Sequence, residues 1–383
     1  MTTAMIRIAC IAMSCSPAIV QLQGQQPKVS GIASSVSAVL DTLVPQLLQK
    51  YSEPGLVVAM VDGCQPSFAR GFGLADKARA RRVESSTVFQ MGSISKTLAA
   101  WGVLHLVDAG RINLDSPVDR YLKRWHLPAD SNAAQVTVRR LLSHTAGISL
   151  PSVGGVNVGE PLPPLLAELE GQGSSAEGGP VRVTIPPGTK YEYSGGGYAI
   201  LQLLIEDVSG KPFARYMHDE VIAPLNMSHT TYGWSRDVAA TLATPYNDKD
   251  GSAQPHRLYS ALAATGLYST AEDMAQFLMA HRARKNAPAG ARVLRPETLA
   301  GMTRAAENAP RYGLGYEVMP PLGPINIVAH SGSNPGWKTN FMMLPGEGVG
   351  IVVMTNTDGG RARMDVLRVF RDAVLKAYAP KKP

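Results

Sequence analysis

Ser93 and Lys96 stand three residues apart in Met91-Gly92-Ser93-Ile94-Ser95-Lys96-Thr97, which holds the only Ser-x-x-Lys in the sequence. A serine hydroxyl is a weak nucleophile until a base lies beside it. A lysine is such a base when its surroundings keep it neutral. On a helix, residues i and i+3 share a face, so Ser93 and Lys96 would point the same way, with Ser95 turned aside. A helix N-terminus also directs free N–H groups and a positive dipole end at an oxyanion formed there. The same two residues serve equally as an N-cap serine and a solvated first-turn lysine. A catalytic pair needs partners from elsewhere in the chain.

Three groups are candidates to complete it. Tyr193 lies in Tyr193-Ser194-Gly195, after a Pro-Gly turn and before a helix. A phenol has a reference pKa near ~10, and a nearby ammonium would lower it, which suits a general base or proton relay. A packed tyrosine capping a loop is the alternative. His330-Ser331-Gly332-Ser333 sits at the end of an expected strand. There Gly332 would let a substrate backbone approach a strand edge, and the Ser333 N–H is an oxyanion donor candidate. An ordinary turn between strands reads the same way. His144, in Ser143-His144-Thr145-Ala146-Gly147, is a third candidate base, although a buried histidine bonded within a tight turn fits it better.

Other chemistries find less support. No His/Cys/Glu grouping has metal-ligand spacing, and neither a metal nor an organic cofactor is expected. Gly195-Gly196-Gly197 lacks the Lys-Ser/Thr of a phosphate loop. No Gly-x-Ser-x-Gly elbow appears with a matching triad order.

The elements that must position these groups follow from hydrophobic periodicity. Residues 31–51 carry an apolar helical stripe, with Pro45 expected to kink or split it. Residues 55–63 read as a strand, 68–74 as its hairpin partner, and Val88-Phe89 as a strand-like lead into the Ser93 helix. A Gly-, Pro- and Ser-rich loop over 148–187 has the length of a functional rim or a mobile excursion. Helices are expected over 199–208, closed by Gly210, over 213–221, and over 271–281 with Thr270 as N-cap. Strands over 325–329, 338–344 and 349–355 precede a closing helix over 364–378. This order predicts an α/β fold of the α+β type. One antiparallel sheet is drawn from both chain ends (31–92 and 310–383) and flanked by the terminal helices. A mostly helical lobe (93–309) faces it across a cleft, in a single catalytic unit.

The 383 residues are 45% hydrophobic and 17% charged, enough for an ample core. The net charge of +7 favours anionic surfaces such as a cell envelope. The densest basic cluster, Lys77, Arg79, Arg81 and Arg82, has no interleaved aromatics, so it reads as a solvated turn and argues against nucleic acid. Residues 1–20 resemble a short secretory signal with a Ser-x-Ala cleavage site, which implies export to the periplasm or beyond; cytoplasmic residence is the alternative. Removal of that segment would leave Cys64 as the one cysteine, with no disulfide framework.

Taken together, several stretches resemble the serine β-lactamase and penicillin-binding-protein family, in its class C-like branch. They are Gly92-Ser93-Ile94-Ser95-Lys96, Leu141-Leu142-Ser143-His144-Thr145-Ala146-Gly147, Pro187-Gly188-Thr189 with Tyr193-Ser194, and Pro224-Leu225-Asn226-Met227. Later come Gly266-Leu267-Tyr268-Ser269-Thr270-Ala271-Glu272-Asp273, Tyr312-Gly313-Leu314-Gly315-Tyr316 and His330-Ser331-Gly332. The branch also holds D-alanyl-D-alanine carboxypeptidases, D-aminopeptidases and β-lactamase-like esterases. The resemblance runs from about residue 36 to 375. It implies that Ser93 is the acylated nucleophile and that Lys96 shares its proton. It further implies that Tyr193 activates Ser93 or the deacylating water, and that the N–H groups of Ser93 and Ser333 form the oxyanion hole.

Two departures narrow the implied substrate. The family's Tyr-x-Asn is Tyr193-Ser194-Gly195 here, which removes the Asn amide that holds a substrate amide. His330 replaces the lysine of the family's Lys-Thr-Gly, and with it a fixed cation for a substrate carboxylate. The expected function is therefore hydrolysis of a small ester, amide or peptide through an acyl-enzyme, with esterase or peptidase ahead of β-lactamase. A binding or sensor protein that acylates without turnover is the reading from another class.

Overall fold

The computed structural model of the protein describes residues 31–129, 132–174, 179–281, 293–321 and 325–378. The expected export signal and the cysteines within it lie outside these residues. The chain begins with α1 (Ile32–Tyr51), β1 (Gly55–Asp62), β2 (Gln65–Asp76), β3 (Arg81–Arg82), β4 (Phe89–Gln90) and α2 (Ile94–Asp108). Its middle holds α3 (Val138–Leu142), β5 (Val156–Asn157), α4 (Leu165–Leu169), α5 (Gly195–Ser209), α6 (Phe213–Met217) and β6 (Thr231–Tyr232). Then come α7 (Arg236–Thr241), β7 (Arg257–Leu258), α8 (Leu262–Thr265), β8 (Leu267–Ser269) and α9 (Ala271–Met279). The last part carries β9 (Glu317–Val318), β10 (Val328–Asn334), β11 (Trp337–Leu344), β12 (Val349–Thr355) and the C-terminal helix Arg361–Tyr378.

Both chain ends build one seven-stranded antiparallel sheet in the order β3-β2-β1-β12-β11-β10-β9. The ends join where β1 pairs with β12, from Leu56 opposite Thr355 to Val61 opposite Gly350. Both strands are apolar runs because both faces of the sheet are covered. Leu56, Val58 and Met60 pack with Ile351 and Val353 beneath α1 and the C-terminal helix. Val57, Ala59, Val61, Val352 and Met354 alternate to the other face and join the main core with α2 and α9.

α1 buries Val36, Leu40, Val44, Leu47 and Leu48 on one stripe. It runs unbroken through Pro45, contrary to the expected split. Pro45 and Asp41 both lie on the exposed face, so water can satisfy the carbonyl that the proline leaves without a donor.

Two other boundaries differ from expectation. β10 spans Val328–Asn334 because it pairs residue for residue with β11, from Val328 opposite Met343 to Asn334 opposite Trp337. His330 is therefore inside a strand, not at its end. Partner geometry overrides the weak strand propensity of Ser-Gly-Ser. α5 begins at Gly195, where Ser194 Oγ accepts from the Gly197 N–H at 3.0 Å and caps the helix.

The described residues of the 148–187 segment pack against the body. β5 pairs with β7, Ile148 bridges Val183, and buried Glu168 accepts from Ser174 N–H at 2.8 Å and Ser260 Oγ–H at 3.1 Å. In the basic cluster, Lys77 donates to the Gly251 carbonyl, Arg79 pairs with Asp76, and Arg81 donates to the carbonyls of Thr241 and Leu242. Cys64 is a free thiol in the turn between β1 and β2. Among the described residues, no helix is long and apolar enough to cross a membrane.

Candidate active site

Ser93 is placed by the step from β4 into α2. Met91 N–H donates to the Leu267 carbonyl at 2.8 Å, and Gly92 then turns the chain at a φ of 53°. Ser93 stands at the N-cap position of α2 without a side-chain capping hydrogen bond, and the first turn of the helix buries Ile94, Ser95, Lys96 and Thr97. Ser95 points away and is structural: its hydroxyl donates to the Gly92 carbonyl at 2.6 Å and accepts from Leu267 N–H at 2.9 Å. Lys96 is 2% exposed. Its Nζ lies 3.1 Å from Ser93 Oγ and donates to the Ala264 carbonyl on α8 at 2.7 Å. Burial pushes the Lys96 ammonium down to about 7. Near neutral pH a large share of Lys96 is a free amine, with its lone pair beside the Ser93 hydroxyl.

Tyr193 completes the cluster. It lines the same cleft as Ser93, its hydroxyl interacts with Ser93 electrostatically, and Lys96 Nζ lies 4.9 Å from its ring centroid. The expectation that a nearby ammonium lowers this phenol is not met. Burial raises Tyr193 first, the interaction with Ser93 offsets part of this, and the Glu317 charge adds to the rise. The same burial that neutralises the amine keeps the phenol protonated.

His144 takes the structural role. It is buried at a φ of 57°, and its Nδ1 accepts from Ser194 N–H at 3.1 Å, so Nε2 carries the proton. Its ring packs at 4.3 Å from Tyr193, 5.2 Å from Tyr198 and 4.8 Å from Tyr312. Burial, the largest cause, and the positive charge of Lys96 when protonated hold it well below its ordinary value. His144 thus fixes the backbone after Tyr193 and the plane of its ring.

The 148–187 segment packs closely over Gly195. A Cβ on Gly195 would come within 3.2 Å of Val153 Cγ1 and 3.4 Å of the Pro151 carbonyl. The 148–187 segment covers the position where the family carries its asparagine.

β10 supplies the opposite wall. Gly332 serves a different close approach from the expected one: a Cβ there would lie 2.0 Å from the Met91 carbonyl oxygen. A Cβ on Gly92 would lie 2.5 Å from the Ser333 nitrogen. These two glycines bring the Ser333 amide against Gly92, the residue before Ser93 at the start of α2. Asn334 ties the strand in place, donating to Gln90 Oε1 at 2.8 Å and accepting from Thr265 Oγ1 at 2.5 Å. β9 pairs only with Val328 and Ala329, so the edge of β10 from Ser331 onward is open to the cleft.

His330 is buried and neutral. Its Nδ1–H donates to the Ser331 carbonyl at 2.8 Å, and Nε2 accepts from the Tyr312 hydroxyl at 2.9 Å. Burial lowers its pKa, and Glu317 opposes that only in part.

Ser93, Tyr191, Tyr193, Glu317, His330 and Ser331 share a cleft of 720 Å³. Tyr312 and Glu317 lie within or beside the Tyr312–Tyr316 stretch, which the sequence marked as a motif without assigning it chemistry. Their contact with His330 depends on the pairing of β9 with β10. Lys338 was also missed; from β11 its Nζ donates to Ser333 Oγ at 2.6 Å.

The chain matches the family model described as Beta-lactamase over residues 40–376. It is 27% identical to a beta-lactamase of Yersinia enterocolitica, across 79% of this chain and 74% of that protein. It is 25% identical to Esterase EstB of Burkholderia gladioli, across 89% of this chain and 96% of that one. Among solved structures, the Beta-lactamase/D-alanine carboxypeptidase from Yersinia pestis matches with a TM-score of 0.68 at 23% identity, over 89% of this chain and 99% of that chain. At that identity the structural likeness speaks for the fold alone. With a match that spans nearly all of the described residues, the chain belongs to the Beta-lactamase family.

Proposed function

We propose that the protein is a serine hydrolase that cleaves a small ester or amide through a covalent acyl-enzyme. Ser93 Oγ attacks the substrate carbonyl carbon while the Lys96 amine takes its proton. The carbonyl electron pair moves onto oxygen, which the Ser93 and Ser333 N–H groups receive. Collapse of this adduct expels the alcohol or amine, which gains a proton from Lys96 by way of the Tyr193 hydroxyl. Water then attacks the acyl-enzyme, gives its proton to the same pair, and releases the acid with Ser93 restored. The observation that carries this reading is the buried Lys96 amine 3.1 Å from Ser93 Oγ, whose other hydrogen-bond partner is a neutral carbonyl.

Esterase or peptidase action ranks ahead of β-lactam hydrolysis. Gly195 offers no side-chain amide, and His330 is neutral where a substrate carboxylate would need a cation. The extent of the similarity to Esterase EstB supports the same order. The β-lactamase reading keeps support from the relative in Yersinia enterocolitica.

A fluorophosphonate probe is expected to label wild type at Ser93 and to leave Ser93→Ala unlabelled. Labelling of Ser93→Ala at the wild-type rate would sink the assignment. A short-chain nitrophenyl ester, a D-amino-acid amide and a cephalosporin, compared by kcat/KM, rank the substrate classes. A cephalosporin value far above the other two would reverse the order. A covalent acyl group that persists in intact mass would favour a sensor.

A further inference from the structure

The site contains a carboxylate that acyl transfer does not use. Glu317 on β9 accepts at Oε1 from Ser331 N–H at 3.1 Å and from Ser331 Oγ–H at 3.0 Å. The same oxygen lies 4.0 Å from His330 Nδ1. Glu317 lines the cleft that holds Ser93, with 36% of its side chain exposed. Its charge is felt by the phenols around the nucleophile, helping to raise Tyr191, Tyr193 and Tyr312.

The Ser331 N–H and hydroxyl are paired donors on the open edge of β10. Such donors are a natural seat for an anionic group of a substrate. Here an internal carboxylate already accepts from both. The neighbouring imidazole does not balance it, because His330 gives its Nδ1 proton to the Ser331 carbonyl and is held neutral by burial. Two other cations lie nearby. Arg311 lines the cleft but is exposed, where water and salt screen its charge. Lys338 pairs with Ser333 on the sheet face that carries the Ser333 side chain, and its Nζ is engaged there.

We propose that Glu317 sets the charge class of the acyl donor. Substrates that present an ammonium or an uncharged group toward β10 are accepted, and those that present a carboxylate there are repelled. This rests on the reading of Ser93 as the acylated nucleophile. It gives an amine-bearing ester or amide, such as one with a free amino group near the scissile carbonyl, the best electrostatic fit. A carboxylate brought against Glu317 in this partly desolvated cleft meets a like charge at short range, which the exposed Arg311 and the Ser333-bound Lys338 offset only in part.

The test is a set of isosteric nitrophenyl esters whose acyl chains end in an ammonium, an uncharged group or a carboxylate, with fluorophosphonates bearing the same three groups. In wild type, kcat/KM for the cationic ester should exceed that for the anionic one by about tenfold or more, mostly through KM. In Glu317→Gln the ratio should contract to about twofold or less. An equal ratio in both proteins, or an anionic preference in wild type (which would make Arg311 the dominant charge), overturns the assignment. Salt provides a reading on wild type alone, so a poorly folded variant does not remove the test. Raising ionic strength toward ~1 M should shrink the ratio, and indifference to salt counts against Glu317. Failure of every phosphonate to label Ser93, whatever its charge, defeats the acyl-enzyme reading. Equal labelling rates for all three defeat only the role of Glu317.

Discussion

At the scale of single residues, burial drives the two groups beside Ser93 in opposite directions, each toward its uncharged form. The Lys96 ammonium is pushed down to about 7, and the Tyr193 phenol is pushed up. The sign for activity follows directly. Below about 7 Lys96 is protonated and has no lone pair for the Ser93 proton; above it the amine is free. The kcat/KM for a neutral ester should therefore rise with pH through an inflection near 7 and level off above it. Tyr193 should add no inflection in the working range, since its phenol stays protonated there. Lys96→Met, a neutral chain of similar length, should lower kcat by about 100-fold or more and abolish the inflection. The same inflection in Lys96→Met would pass the base role to another group. Sequence reading placed Ser93, Lys96 and Tyr193 together but misjudged the phenol, because desolvation depends on neighbours that no local pattern lists.

At the scale of elements, the site depends on how closely β10 approaches the start of α2. Gly332 and Gly92 permit it, each lacking a Cβ that would strike the other segment's backbone. Backbone atoms cannot rotate away as a side-chain end can. Gly332→Ala should force β10 away from Met91, carrying the Ser333 amide with it. The expected result is about a 100-fold loss of kcat, comparable with removal of one oxyanion donor, and a loss of about 1–3 kcal/mol in stability. Steady-state kinetics with a denaturant melt would test this; wild-type kcat in a folded Gly332→Ala protein would separate Ser333 from the oxyanion site. The glycine was legible in the sequence, but its reason was not. Expectation assigned the free space to a substrate, and the fold gives it to the Met91 carbonyl. α1 teaches the converse lesson. Pro45 was expected to kink or split α1; the helix is not split, and Pro45 falls on its exposed face.

At the scale of the whole molecule, residues from the two chain ends meet in one sheet, and the terminal helices seal its outer face. This layer is far from the chemistry yet holds β12 beside β1, and through β11 holds β10. Phe370, on the C-terminal helix, is fully buried in it. Phe370→Ala should cost about 3–5 kcal/mol. Val39→Ala, at an α1 position that is 43% exposed, should change stability by less than about 0.5 kcal/mol. Denaturant unfolding of both variants checks the contrast; equal small effects would mean that the outer layer contributes little to holding the sheet.

Apolar periodicity was enough to outline β1, β2, β11 and β12, the terminal helices and the helix behind Ser93, since these depend on which residues alternate toward a core; the short β3 and β9 and the full length of β10 depend on their partners. Residue type and spacing likewise determined the Ser-x-x-Lys pair, because residues three apart on a helix share a face. Only the tertiary structure decided the rest. The protonation of Lys96 and Tyr193, the tautomers of His144 and His330, and the carboxylate at Ser331 come from segments distant in sequence. Glu317 is 14 positions from Ser331, and Ala264 is 168 from Lys96. Charge and proton position are set by the nearest atoms in space, and chain folding alone chooses those atoms.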